Sequence, residues 1–142
     1  MERRLSVLAP FGMFFIVGWV RATTMKRDLE IWVFGDHRHH PKDRLTLQIL
    51  AHARALSGGA GRVTAVILGH QVEEVAKEYL AYGAQRILLA DDSRLAIYRS
   101  DLFTTIISDL IQKHKPEIFL IGASEFGKEL AARIAKRIGV GL

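Results

Sequence analysis

A glycine-lysine segment in the last third of the chain has the composition of a phosphate-binding loop. Gly122 is followed by Gly127 and Lys128, as at the start of a P-loop, where backbone amides hold phosphates and the lysine contacts the terminal ones. A P-loop next needs a hydroxyl for magnesium, but the sequence has Glu129, whose carboxylate would repel phosphate. The pattern therefore favours a capped helix over a phosphotransferase site, with Ser124 as its N-cap.

Two further groups of polar residues have types that could take part in chemistry. His37, His39 and His40 could ligate a metal, but no second histidine or acidic motif completes a ligand set, so we predict a solvated loop and no metal. Asp91 and Asp92 are adjacent, as a catalytic pair can be. In an Asp-Asp-Ser turn such carboxylates usually accept hydrogen bonds from nearby backbone amides. We therefore predict no catalytic residue in the chain.

The remaining candidate site lies where two predicted strands end. Gly35 and Asp36 follow the first strand, and Gly122, Ala123 and Ser124 follow the fourth. In a parallel sheet of order 3-2-1-4-5 these strands are neighbours at the point where the strand order reverses, and ligands bind at that point. Free backbone amides and helix N-termini favour anions there. These five residues are the candidate site for a nucleotide or a partner group.

The elements that position these residues are four repeats of a strand followed by a helix. The apolar runs typical of buried strands are Ile31–Phe34, Val63–Leu68, Ile87–Ala90 and Ile118–Ile121. Their alternation with amphipathic helices requires right-handed crossovers and a parallel sheet covered on both faces. We predict an α/β fold with a doubly wound, Rossmann-like parallel sheet of order 3-2-1-4-5, whose last strand is missing or truncated because the sequence stops at Leu142.

The first 24 residues differ in kind from the rest. Two arginines precede a mostly apolar stretch, residues 5–20, which contains Pro10 and two glycines. As a helix this stretch would reach about 24 Å, short of the ~30 Å hydrocarbon core of a bilayer. We expect residues 1–24 to be a hydrophobic extension outside the fold and residues 25–142 to form the domain. Membrane association would follow only if residues 5–20 are a genuine leader.

Composition excludes several classes of function. The 142 residues suffice for one domain, and the net charge is +5. The basic residues are spread along the chain without a basic block or interleaved aromatics, so no nucleic-acid partner is expected. The absence of cysteine excludes disulfides, thiolate metal sites and a cysteine nucleophile, and it is compatible with a cytoplasmic location.

Residues 29–142 resemble the amino-terminal domain of the electron transfer flavoprotein alpha subunit. No single motif decides the resemblance, but the motifs are specific when all occur in order and at the family's spacing. They are Ile31–Phe34, Leu47–Leu56, Val63–Gly69, Tyr82–Ala84, the segment around Tyr98, Lys115–Ala123 and Gly127–Ala135. One departure is minor, since Ser124 stands where the family usually has threonine.

The resemblance implies an adenine nucleotide alpha hydrolase-like fold and a role in electron transfer. The family is a heterodimer with a beta subunit that carries electrons in FAD from dehydrogenases to a quinone reductase or another acceptor, and in prokaryotes it is cytoplasmic. The carboxy-terminal half of the alpha subunit mainly holds the FAD, and we expect the present sequence to stop before it. The resemblance therefore implies a scaffold and a beta-subunit interface, without a catalytic residue. The alternative is a free-standing adenine-nucleotide-binding module of the universal-stress type.

Overall fold

The computed structural model describes residues 29–38 and 44–140, together with the backbone of residues 3–5 and 14–21. Strands β1 to β6 span Arg3–Leu5, Phe14–Arg21, Glu30–Phe34, Arg62–Gly69, Arg86–Asp91 and Ile118–Gly122. Helices α1 to α4 span Leu45–Leu56, Glu73–Ala81, Ser100–His114 and Glu125–Ile138, and a 3-10 helix spans Ser93–Leu95. The four predicted strands correspond to β3, β4, β5 and β6.

The core of the domain is a four-stranded parallel sheet of order β5-β4-β3-β6. Ile31 in the central strand β3 lies opposite Val63 of β4 and Ile118 of β6. In the numbering of the four strand-helix units this order is 3-2-1-4, so the predicted doubly wound fold is confirmed.

Part of the amino-terminal extension lies beside β6, at the position that the fifth strand takes in the order 3-2-1-4-5. The backbone of β2 pairs antiparallel with β6, with Phe14 opposite Gly122, and β1 pairs antiparallel with β2. The expectation that residues 25–142 form the domain without residues 1–24 stays a prediction, which a chain that begins at Met25 would test.

Two apolar clusters, one on each face of the sheet, hold the helices in place. On one face Trp32, Phe34 and Phe119 belong to a cluster with side chains of α3 and α4. On the other face Ile31 and Val33 belong to a cluster with side chains of α1 and α2. These strand residues are at most 3% exposed. Burial of a large apolar side chain contributes roughly 1.5–3 kcal/mol, so both helix layers are firmly attached.

The helix ends follow local sequence signals. The hydroxyl of Ser124 accepts a hydrogen bond from the backbone N–H of Gly127 at 3.0 Å, which confirms the predicted N-cap of α4. Helix α4 stops at Gly139 in the left-handed conformation, with φ 75°. Helix α3 stops at Lys115, which has φ 51° although it is not glycine. Within the described part of the chain, no helix has the length and apolar composition to cross a membrane.

Candidate functional site

The structure brings the five candidate residues to one edge of the sheet. Gly35 and Asp36 come directly after β3. Gly122 is the last residue of β6, and Ala123 and Ser124 follow it. Because β3 and β6 are parallel neighbours, these two strand ends lie side by side. A side chain at the first of these positions would not fit, since a Cβ on Gly35 would lie 2.5 Å from the ring of Tyr79. The crevice at this edge is therefore shaped by close packing around β3.

An arginine of the same loop lies in the crevice. The Nε and one terminal nitrogen of Arg38 donate hydrogen bonds to the two carboxylate oxygens of Asp36, at 2.8 and 2.7 Å. The guanidinium carbon lies 3.7 Å from the centre of the Phe126 ring, which places the cation against an aromatic face. The backbone N–H of Asp36 donates to the hydroxyl of Thr46 at 3.2 Å. The charges of Asp36 and Arg38 are thus paired with each other.

A small cavity of about 40 Å³ remains beside this pair. Its lining consists of Phe34, Gly35, Asp36, His37, Arg38, Leu68, Leu95, Ala96, Tyr98, Phe103 and Phe126. A space of this size holds roughly one to three water molecules, whereas small-molecule sites usually measure about 300–1,000 Å³. This cavity is too small for a nucleotide.

The hydroxyl of Tyr98 is buried, and no partner for it lies among the described residues. Its ring packs edge-on against Phe103 and Phe126, with centroids 5.0 and 4.2 Å away. Burial raises the pKa of Tyr98, and the negative charge of Glu129 raises it further. Sequence analysis named the segment around Tyr98 only as part of the family resemblance, because the neighbours of its ring come from helices that begin later in the chain.

The glycines of the phosphate-loop-like segment serve packing between β6 and α4. A Cβ on Gly127 would lie 1.8 Å from the carbonyl oxygen of Gly122, so only glycine permits this approach of helix to strand. The ammonium group of Lys128 lies 3.7 Å from a carboxylate oxygen of Glu125, and Glu129 accepts a hydrogen bond from Arg133. The Ser124 cap described above confirms the predicted capped helix, and the absence of a phosphotransferase site stays a prediction.

Both adjacent aspartates accept backbone hydrogen bonds, but only those of Asp92 are local, as predicted, whereas the partners of Asp91 lie in the turn before α2. Asp91 accepts from the backbone amides of Gln71 and Val72 at 2.8 and 3.2 Å, and the first of these bonds is the main cause of its lowered pKa. Asp92 accepts from the side chain and backbone N–H of Arg94, and these bonds hold its pKa far below the usual range. Both carboxylates therefore stabilise turns.

Of the three loop histidines, only His37 is described. Its Nε2 lies 2.9 Å from the carbonyl oxygen of Leu68, which holds the ring against β4. His39 and His40 lie outside the described residues. Among the residues that the structure describes, no group of three or more His, Asp or Glu side chains could hold a metal ion.

A second polar centre, which sequence analysis missed, lies at the opposite, amino-terminal edge of the sheet. The carboxylate of Glu30 accepts hydrogen bonds from Trp32 Nε1 at 3.1 Å, Thr64 Oγ1 at 2.7 Å, Arg62 Nε at 2.7 Å and Arg86 at 2.6 Å. Burial alone would raise the pKa of Glu30, but the bonds from Thr64, Arg62 and Trp32 and the charge of Arg86 outweigh it and lower the pKa. The partners come from three strands, so nothing in the local sequence indicates the cluster.

Comparison with known proteins decides the family. A family model described as the electron transfer flavoprotein domain matches residues 31–142, which contain all of the parallel sheet except Glu30, together with helices α1 to α4. The chain belongs to the electron transfer flavoprotein family.

Several relatives within the electron transfer flavoprotein family match over nearly the same span. The alpha subunit from Clostridium acetobutylicum is 37% identical over 113 residues, which cover 79% of this chain and 34% of that protein. The acryloyl-CoA reductase electron transfer subunit beta from Anaerotignum propionicum is 34% identical over 114 residues, covering 80% of this chain and 31% of that protein. The alpha subunit from Thermoanaerobacterium thermosaccharolyticum is 36% identical over 114 residues, which cover 80% of this chain and 34% of that protein. The chain therefore spans about one third of the length of these relatives.

Members of the electron transfer flavoprotein family are flavoproteins, and a flavin needs a large, mostly apolar and aromatic cavity. The cavity near Tyr98 is too small, as described above. The cavity beside the Glu30 cluster is larger, but it is lined mainly by charged side chains. Neither cavity fits a flavin dinucleotide.

Proposed function

We propose that residues 25–142 are the amino-terminal domain of an electron transfer flavoprotein alpha subunit, acting as a scaffold and as the interface for the beta subunit. The observation that carries this proposal is the match of the family model to residues 31–142, which hold all but the first residue of the parallel sheet and its four helices. The alpha-subunit names of two relatives support the choice of subunit.

In the proposed heterodimer, FAD carries electrons between dehydrogenases and a quinone reductase or another acceptor. The FAD would be held mainly by the carboxy-terminal half of such a subunit, which would lie beyond Leu142. The crevice supports this division of roles, because Arg38 and Asp36 are bonded to each other where a ligand would bind, and no described cavity fits a flavin. The proposed location is the prokaryotic cytoplasm.

The names of two further relatives support a place in a multi-protein complex. One is an electron transfer subunit of acryloyl-CoA reductase, and one is subunit LctC of a lactate dehydrogenase that uses NAD(+) and ferredoxin. We propose that the present domain likewise contributes to a complex whose redox reactions take place outside its own fold.

Coexpression with the electron transfer flavoprotein beta subunit of the same organism tests the proposal. The tagged full chain should copurify with that subunit, and light scattering after size-exclusion chromatography should give a one-to-one complex. A universal-stress-type domain of similar size, coexpressed in the same way, is the matched control. Equal recovery of the beta subunit with both proteins would refute the proposed interface.

Titration calorimetry of the chain without the beta subunit tests whether the five candidate residues bind a ligand, and this test does not depend on the proposed interface. We expect neither FAD nor ATP to bind in the micromolar range, because the crevice leaves a cavity of only about 40 Å³ and Glu125 and Glu129 oppose phosphate at the start of α4. Micromolar ATP binding that is lost in Ser124→Ala would instead favour an adenine-nucleotide-binding module. Micromolar FAD binding would show that this domain does more than act as a scaffold.

A further inference from the structure

A polar cavity at the amino-terminal edge of the sheet has the size of a small-molecule site. Its volume is about 410 Å³, which lies within the usual range of about 300–1,000 Å³. It is lined by Ala60, Arg62 and Arg86 near the starts of β4 and β5, by His114 and Lys115 at the end of α3, and by Glu30 and Glu117. It lies at the opposite edge of the sheet from the crevice around Asp36.

The cavity carries an excess of positive charge. Three cations, Arg62, Arg86 and Lys115, face two carboxylates, those of Glu30 and Glu117. Both carboxylates already accept hydrogen bonds: Glu30 takes four from side chains, and Glu117 takes one from the backbone N–H of Glu30 at 2.8 Å. The end of α3 adds partial negative charge from its free carbonyls, so the attraction for an anion comes from the three cationic side chains.

Hydrogen-bond donors of these cations remain available within the described structure. Arg62 contacts Glu30 through Nε, which leaves its two terminal nitrogens without a described partner, and its side chain is 54% exposed. Arg86 donates to Thr64 through Nε and to Glu30 through one terminal nitrogen. Its other terminal nitrogen has no described partner. The Glu30 carboxylate thus holds both guanidinium groups in fixed positions beside the cavity. A planar guanidinium held in this way is well suited to bind phosphate or carboxylate oxygens.

The third cation lies on a backbone that is unfavourable for its residue type. Lys115 has φ 51° and ψ 58°, a left-handed conformation in which glycine and asparagine are preferred. Pro116 follows directly and prevents the helix from continuing. Replacing Lys115 by Asn or Gly should therefore remove the charge without weakening the fold.

We propose that this cavity binds a small molecule through a phosphate or carboxylate group, held by Arg62, Arg86 and Lys115. The site requires neither a flavin nor the beta subunit, so its test is independent of the proposed function.

Calorimetric titration of the full 142-residue chain with inorganic phosphate and with succinate tests the site. Both titrations are made against chloride at equal ionic strength, which removes general screening effects. We expect saturable one-to-one binding, and the tighter of the two anions identifies the preferred group. In Lys115→Asn and in Arg62→Gln the Kd for that anion should rise by about tenfold or more, because each loses a charge-assisted hydrogen bond.

Lys136→Asn is the matched control, since it removes the same charge from an exposed position of α4, away from the cavity lining. It should leave the Kd unchanged, and Lys115→Asn should remain folded by circular dichroism. The proposal is overturned if neither anion binds more tightly than chloride. It is also overturned if Lys136→Asn weakens binding as much as the two cavity variants do.

Discussion

Replacement of Glu30 by glutamine should destabilise the domain more than any other change of a single charge at the amino-terminal edge. The carboxylate lies among four donors, and its side chain is only 14% exposed. Hydrogen bonds to a charged group contribute about 1.5–3 kcal/mol each, and water reduces the share of the more exposed Arg62. Glutamine also turns an N–H donor toward another donor. We expect a loss of about 2–3 kcal/mol in the free energy of unfolding, or roughly 10 °C in Tm.

The pH dependence of this loss identifies its electrostatic cause. The pKa of Glu30 is lower in the folded state than its ordinary value of 4.5, so its stabilisation is fully present above that pH and is lost as the pH falls through the folded-state pKa. The difference between wild type and Glu30→Gln should therefore be constant near neutral pH and shrink in acid. A loss caused by altered packing would persist in acid.

Urea denaturation followed by tryptophan fluorescence measures both effects, because the Trp32 indole itself donates to Glu30. Glu73→Gln is the matched control, since the side chain of Glu73 is 80% exposed and lies 4.0 Å from its partner Lys77. It should hardly change the urea midpoint. Equal midpoints for the two variants would refute the view that the Glu30 cluster stabilises the sheet.

Three further changes test individual features of the fold. Ser124→Ala should lower the free energy of unfolding by about 1 kcal/mol in urea denaturation, whereas Ser124→Thr, which keeps the hydroxyl, should change it less; equal losses would argue against the cap. Gly127→Ala should cost roughly 2 kcal/mol or more, because its Cβ would meet the Gly122 carbonyl, and a variant as stable as wild type would contradict that contact. A chain beginning at Met25 should melt cooperatively and at least as high as the full chain in calorimetry, and loss of cooperative melting would show that residues 1–24 belong to the core.

The features that sequence analysis predicted correctly are those encoded over short distances. Runs such as Ile118–Ile121 show a buried strand through their own composition, and Ser124 precedes its helix in the position of an N-cap. The strand order followed from general rules of chain connection. The strand at Ile87–Ala90 was placed within one residue at each end, since it spans Arg86–Asp91.

The features that it missed depend on residues far apart in the chain. Glu30 contacts Arg62 and Arg86, which are 32 and 56 positions later. Each of these residues alone resembles an ordinary charge at a strand end, and only the parallel register places them together. The contact of Arg38 with Phe126 is of the same kind.

The central position of β3 also has a consequence for synthesis on the ribosome. One side of β3 pairs with β4, which is synthesised soon afterwards. The other side pairs with β6, and the backbone N–H of Glu30 donates to the carboxylate of Glu117, which is synthesised 87 residues later. At about 5–20 residues per second this interval lasts roughly 4–17 s. During that time an apolar strand destined for the middle of the sheet has one unpaired edge, which can pair with other chains. The pairing that closes this side of β3 becomes available only when β6 has been made.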